Sequence, residues 1–180
     1  MVYLRELTRS DIPIINSWRQ SRELQDFFGS PFRYINLETD EEWFERYMKN
    51  RTKEVRLAIV TQDEDELIGM ASIVNIDTVS RKAEYGGIMI GVPVNRGKGI
   101  GKLVTMMLLR HAFYDLNLNR IQGVWLVSNI PSVEMGKKCG FREEGVLRQA
   151  TFKNGQYHDL LLMSILRMEF DEIAKNYEWI

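Results

Sequence analysis

The stretch Arg96-Gly97-Lys98-Gly99-Ile100-Gly101 lies between an alternating, strand-like segment and a strongly apolar run that begins at Lys102. Three glycines in six residues permit left-handed backbone angles and leave peptide N–H groups open to a ligand. At the head of a helix, those N–H groups and the helix dipole favour a phosphate. Arg96, Lys98 and Lys102 add positive charge around it. A pyrophosphate is the guest that this chemistry suits. The dinucleotide fingerprint would need Gly-x-Gly-x-x-Gly in an opening Rossmann unit, and a Walker loop would need four residues between glycines and then Lys-Ser/Thr. The segment fits neither pattern. A flexible turn with solvated charges is the competing reading of the segment alone.

Outward from this loop the chain alternates between strand and helix signals. Residues 83–91 read as a strand, within which Gly86 and Gly87 mark a bulge or a close backbone approach. Residues 102–116 read as an apolar helix, 120–127 as a strand and 132–139 as a short helix. Residues 146–152 and 157–166 form a strand pair around Asn154-Gly155, a hairpin dipeptide. Toward the N-terminus, residues 2–7, 56–60 and 67–75 read as strands, the last two joined by the acidic turn Asp63-Glu64-Asp65-Glu66. Ile12, Ile14, Ile15 and Trp18 suit a short amphipathic helix with capping residues at Thr8-Arg9-Ser10-Asp11. Trp43, Phe44, Tyr47 and Met48 suit a second helix, capped by Thr39 or Asp40. No repeat, low-complexity tract or linker interrupts the pattern, so residues 1–180 are expected to form one mixed α/β domain.

Composition narrows the class of function. Of 180 residues, 44% are hydrophobic and 27% charged, as in an ordinary globular protein. The 24 basic and 25 acidic residues give a net charge of −1, so no global field would draw nucleic acid or an anionic membrane. The single cysteine, Cys139, rules out an intrachain disulfide, and with two histidines, His111 and His158, no metal centre is expected. The N-terminal residues lack the apolar run of a signal peptide, and the apolar runs are too short to span a bilayer. The cytoplasm is the expected compartment.

Further motifs follow the loop in order. Arg96-x-x-Gly99-x-Gly101 resembles the acetyl-CoA pyrophosphate loop of the GNAT acetyltransferase superfamily. Asn129-Ile130-Pro131-Ser132 and then Cys139-Gly140-Phe141 resemble that family's second signature. Glu144-Gly145-x-x-Arg148 and Asn154-Gly155-x-Tyr157-x-Asp159 resemble the tail of the RimJ/RimL branch. The resemblance implies a mixed, mostly antiparallel twisted sheet flanked by helices, with CoA in a V-shaped opening. It implies acetyl transfer from acetyl-CoA to a primary amine, without metal, with a protein N-terminal amine as the leading acceptor. Polyamine acetylation, nucleotide-amino-sugar acetylation and a non-catalytic acetyl-CoA-binding module are the alternatives, and a homodimer is possible. By the same resemblance the backbone of Met89, Ile90 and Gly91 faces the pantetheine arm, while Gly97, Lys98 and Ile100 belong to the loop and Asn129 contacts CoA.

The chemistry needs a base for the incoming ammonium and an acid for the departing thiolate. The tyrosine usual in the family falls at Gly136, so the acid is missing. Ser132 is the expected substitute, with an N-cap of the short helix as its structural alternative. The RimL-like glutamate falls at Thr151, which leaves the base unassigned. The resemblance points to Glu84, because acidic residues on that strand serve as bases in several GNAT branches, and a surface carboxylate beside Arg81 and Lys82 is its structural alternative. Tyr157 and Asp159 share a strand face near the expected acceptor pocket; the resemblance implies that the first helical region walls that pocket, so Arg19 and Arg22 are expected to select the acceptor. Cys139 reads as a buried small hydrophobe.

Overall fold

The computed structural model describes residues 1–49 and 51–178; positions 50, 179 and 180 lie outside the described residues. The described residues form one seven-stranded sheet in the order β1-β2-β3-β4-β5-β7-β6. The strands are β1 (Val2–Glu6), β2 (Val55–Thr61), β3 (Leu67–Asp77), β4 (Lys82–Ile90), β5 (Arg120–Leu126), β6 (Arg142–Lys153) and β7 (Gln156–Leu166). Every neighbouring pair is antiparallel except β4–β5. The hairpin between β6 and β7 turns at Asn154 (φ 51°) and Gly155 (φ 77°), the two left-handed residues of a tight turn.

Helices cover both faces of the sheet. The larger core packs α4 (Ile100–Arg110), α5 (Ile130–Lys138) and α6 (Arg167–Ala174) onto one face, through Val104, Leu108, Phe113, Phe141 and Phe170. The smaller core packs α1 (Ile12–Arg19) and α3 (Leu37–Lys49) onto the other face of β1–β4, through Ile12, Ile15, Phe44 and Tyr47. A single turn, α2 (Arg22–Gln25), links them.

Several boundaries differ from the sequence reading for local reasons. The cap of α3 is Asn36, whose Oδ1 accepts from the Thr39 N–H at 3.1 Å; Thr39 and Asp40 sit in the first turn instead. The helix expected over 102–116 begins two residues earlier, because Gly99 at φ 80° ends the loop. It continues after Arg110 as a π-turn over His111–Asp115. Asn129, not Ser132, caps α5. The short helices α2 and α6 were not among the expected elements.

Gly91 follows β4, and a Cβ there would lie 2.0 Å from the Trp18 ring, so only glycine lets α1 settle on the strand. The approach to α1 is fixed by Asp11. Its carboxylate accepts two hydrogen bonds from Arg5, at 2.7 and 2.9 Å, and one from the Thr8 N–H at 2.8 Å. Burial alone would raise the Asp11 pKa, but the Arg5 and Thr8 hydrogen bonds outweigh it and hold the carboxyl below its usual value. A depressed native pKa means that this stabilisation is complete above roughly pH 4 and is lost as pH falls through the native value. Asp11→Asn is therefore expected to lower stability at pH 7 by about 3 kcal/mol. Urea melts should show the difference from wild type shrinking toward pH 3.

Candidate active site

The parallel strands β4 and β5 pair only at Lys82↔Arg120, Ala83↔Ile121 and Glu84↔Gln122. Beyond Glu84 they diverge, while β5 stays paired with β7 as far as Leu126. Two features accompany the split. Tyr85 stacks on Trp125 with ring centroids 5.6 Å apart and leans on Phe141, so aromatic bulk occupies the core face just past the last pair. On the β3 side, Ser72 pairs with Gly87 and Ile73 with Tyr85, leaving Gly86 as an extra residue and Gly87 at φ 92°. A Cβ at Gly86 would lie 2.3 Å from Ser72 Oγ, so the glycine pair serves both a bulge and a close approach.

Backbone directions sort the expected pantetheine positions. The Gly91 N–H donates to Ile68 C=O on β3 at 2.9 Å. Alternation then puts Met89 and Gly91 on the β3 edge, and Ile88 and Ile90 on the edge facing the gap. The Ile90 carbonyl accepts from Arg96 Nε at 3.1 Å and the Gly91 carbonyl from Arg96 Nη2 at 3.4 Å. Arg96 therefore ties the loop to the end of β4 and also pairs with Glu23. Its side chain is held by protein groups, a role the sequence did not disclose.

The loop fits a pyrophosphate. Gly97 (φ 75°) and Gly99 (φ 80°) are left-handed, and a Cβ at Gly97, Gly99 or Gly101 would meet nothing within 4 Å. The Leu103 N–H bonds Gly99 C=O, so the first-turn N–H groups of Ile100, Gly101 and Lys102 have no carbonyl one turn back within α4. No side chain among the described residues caps this end. Lys98 is exposed, while Lys102 leans toward the Tyr177 ring at 5.7 Å.

Asn129 Oδ1 accepts from the Ser132 N–H at 3.3 Å, and Asn129 Nδ2 donates to Phe27 C=O at 2.9 Å. The asparagine thus joins α5 to the segment after α2. Ser132 sits in the first turn of α5, half-buried, and its hydroxyl has no hydrogen-bond partner among the described residues. A Cβ at Gly136 would point at Met163 (3.0 Å) and Trp125 (3.5 Å), so the direction a side chain would take there is filled by core. Cys139 is buried, which pushes its thiol up to about 11.

Glu84 occupies the apex of the split, and its Oε2 accepts from Asn75 Nδ2 at 2.9 Å. Ala83 and Tyr85 point into the larger core, so the Glu84 carboxylate takes the opposite face. On that face lies a cleft of about 480 Å³, lined by Arg19, Phe28, Trp43 and the bulged backbone at residues 86–89, among others. Arg19 lines it but pairs with buried Asp40; Arg22 instead covers the Phe32 ring at 4.3 Å. Tyr157 and Asp159 lie outside the lining. Asp159 accepts from the Gln149 N–H at 2.7 Å, and Tyr157 packs on Phe152.

The far wall of the cleft is held by the C-terminal hairpin. Buried Lys153 donates to the carbonyls of Gln25 and Phe28, and Thr151 Oγ1 donates to Gly29 C=O at 2.6 Å. Asn154 Nδ2 adds a bond to Asp26 at 2.9 Å. Burial lowers the Lys153 pKa, and nearby Asp26 opposes that.

Residues 2–142 match the family described as an acetyltransferase (GNAT) domain. A spermidine N(1)-acetyltransferase of Vibrio cholerae is 30% identical over 168 residues, covering 93% of this chain and 94% of that protein. A putative ribosomal N-acetyltransferase of Bacillus subtilis, YdaF, is 38% identical over 105 residues, 58% of this chain and 56% of its own length. The crystal structure of the Vibrio cholerae spermidine N-acetyltransferase with CoA and spermine superposes with a TM-score of 0.87 at 29% identity. That match covers 94% of this chain and 97% of the other. Among the described residues no helix is long and apolar enough to cross a membrane.

A ligand present at a hundred times its dissociation constant should stabilise the protein by about 2.7 kcal/mol. Acetyl-CoA is expected to produce the corresponding thermal shift in the wild type. Gly99→Glu, which sets a carboxylate at the open head of α4, should abolish it. An undiminished shift in that variant would mean that the loop does not hold the phosphates.

Proposed function

This chain belongs to the GNAT acetyltransferase family and is an acetyl-CoA-dependent N-acetyltransferase; from that premise we propose that its acceptor is the primary amine of a small molecule. The cleft carries this reading. At about 480 Å³ it has the size of a small-ligand site, and it reaches the bulged end of β4 from the face opposite α4. A protein N-terminus, expected from the RimJ/RimL resemblance, is set aside, because the ribosomal relative matches little more than half of the chain. A catalytically silent module gives way to an enzyme. Polyamines are a second reading, favoured by the spermidine acetyltransferases that match nine-tenths of the chain.

In this reading acetyl-CoA lies along the gap between β4 and β5, its pyrophosphate at Gly97–Gly101 and its pantetheine on the Ile88 and Ile90 edge. The amine enters from the cleft face and attacks the thioester carbonyl. The oxyanion would take a backbone N–H from the free edge of β4. Glu84 accepts the ammonium proton, through a water held at the apex. Ser132 donates to the departing thiolate.

Thiol release from acetyl-CoA should be seen with small amines and not with peptides beginning in alanine or serine; the reverse ranking overturns the small-amine reading. Ser132→Ala should lower turnover about a hundredfold with acetyl-CoA affinity intact. A purely structural serine would leave turnover unchanged. Glu84→Gln should depress turnover most at low pH, where the acceptor ammonium is hardest to deprotonate. Wild-type rates across pH 6 to 9 in that variant would remove Glu84 from the mechanism.

A further inference from the structure

The charge of the acceptor cleft is at odds with a polycationic substrate. Arg19, Arg46 and Arg56 line it, against the single carboxylate of Asp40. Asp40 is buried and already engaged, accepting from Asn16 Nδ2 at 2.7 Å and pairing with Arg19. Arg56 is held by Glu54 and lies 4.9 Å over the Trp43 ring. Arg46 is exposed and makes no ion pair with a carboxylate among the described residues, so its guanidinium is open to a ligand. The segment 26–36, which joins α2 to α3 beside the cleft, contains two charged residues, Arg33 and Asp26, and Asp26 is engaged by Asn154 and Lys153. The acidic run 63–66 lies in the exposed β2–β3 turn, outside the cleft, with Asp65 bonded to Tyr3.

A polyammonium acceptor needs free carboxylates for the charges that do not react; Glu84 is assigned to the reacting amine, and no unpaired carboxylate lines the cleft itself. An amine with an anionic group meets the opposite situation. The guanidinium of Arg46 can bind a phosphate or carboxylate, while Phe28 and Trp43 supply apolar wall for the body of the molecule. We infer that the acceptor is an anionic amine, a primary amine carrying a phosphate or carboxylate, and that Arg46 is the residue that selects it. This rests on the acetyl-transfer reading and narrows its substrate class.

The test ranks kcat/KM by thiol release within matched pairs: glucosamine 6-phosphate and UDP-glucosamine against glucosamine, and lysine against cadaverine, with spermidine as the polycation. The anionic member of at least one pair should exceed its partner about tenfold or more, the scale of one charge-assisted contact. That advantage should shrink with added salt. An advantage confined to the sugar pairs identifies phosphate as the anion, and one confined to the lysine pair identifies carboxylate. Arg46→Glu should collapse or invert the ratio and Arg46→Lys should keep part of it, with folding checked by the acetyl-CoA thermal shift. Spermidine outrunning every anionic amine, or a ratio unmoved by Arg46→Glu, overturns the inference while leaving small-amine acetylation standing. No thiol release with any amine overturns both.

Discussion

Three pairs of residues join β4 to β5, and the release of pairing after Glu84 is the constraint on which the site depends. A strand in mid-sheet normally bonds on both edges, and unpaired backbone polar groups are costly where water is excluded. Here one edge of β4 from Tyr85 onward has no strand partner among the described residues. The stacked Tyr85 and Trp125 rings fill the core behind the split, and the bulge at Gly86 and Gly87 changes the twist of the strand just where it departs. Arg96 claims the last free carbonyl of that edge, at Ile90, and so marks where the open stretch ends.

The same divergence separates two tasks onto two sides of one sheet. The glycine loop and α4 belong to the larger core and present backbone N–H groups to an anion. The cleft belongs to the smaller core, beneath α1 and α3. The bulged stretch of β4 is common to both, so in the proposed mechanism cosubstrate and acceptor approach the reacting carbonyl from opposite directions. Each side can then be shaped without disturbing the other.

The loop, the hairpin and most strands were legible in the sequence, because glycine spacing, Asn154-Gly155 and period-two patterns act locally. The GNAT fold was legible through several motifs spaced in order. What escaped was whatever depended on a distant partner. Arg96 reads as positive charge beside a phosphate, and its further bonds to the Ile90 and Gly91 carbonyls cannot be read from six residues of loop. Asn129 reads as a cofactor contact in sequence, and its cap on α5 and its bond to Phe27 across 102 positions are added by the fold. Gly136 reads only as a missing tyrosine; in the fold its side-chain direction is filled by Trp125 and Met163. The α6 helix did leave a signal, in the spacing of Phe170, Ile173 and Ala174.

The bonds from Lys153, Thr151 and Asn129 to the segment after α2 share a property. All of them grip main-chain oxygens, at Gln25, Phe27, Phe28 and Gly29. A carbonyl is the same whatever side chain stands beside it. Apart from Asp26, which Asn154 holds by its side chain, the wall of the cleft is thus fixed in position by its backbone while its side chains are left unconstrained by the anchor. Side chains beside those carbonyls can be exchanged without removing the bonds that anchor them, so enzymes sharing this architecture can diverge in acceptor while keeping one shape.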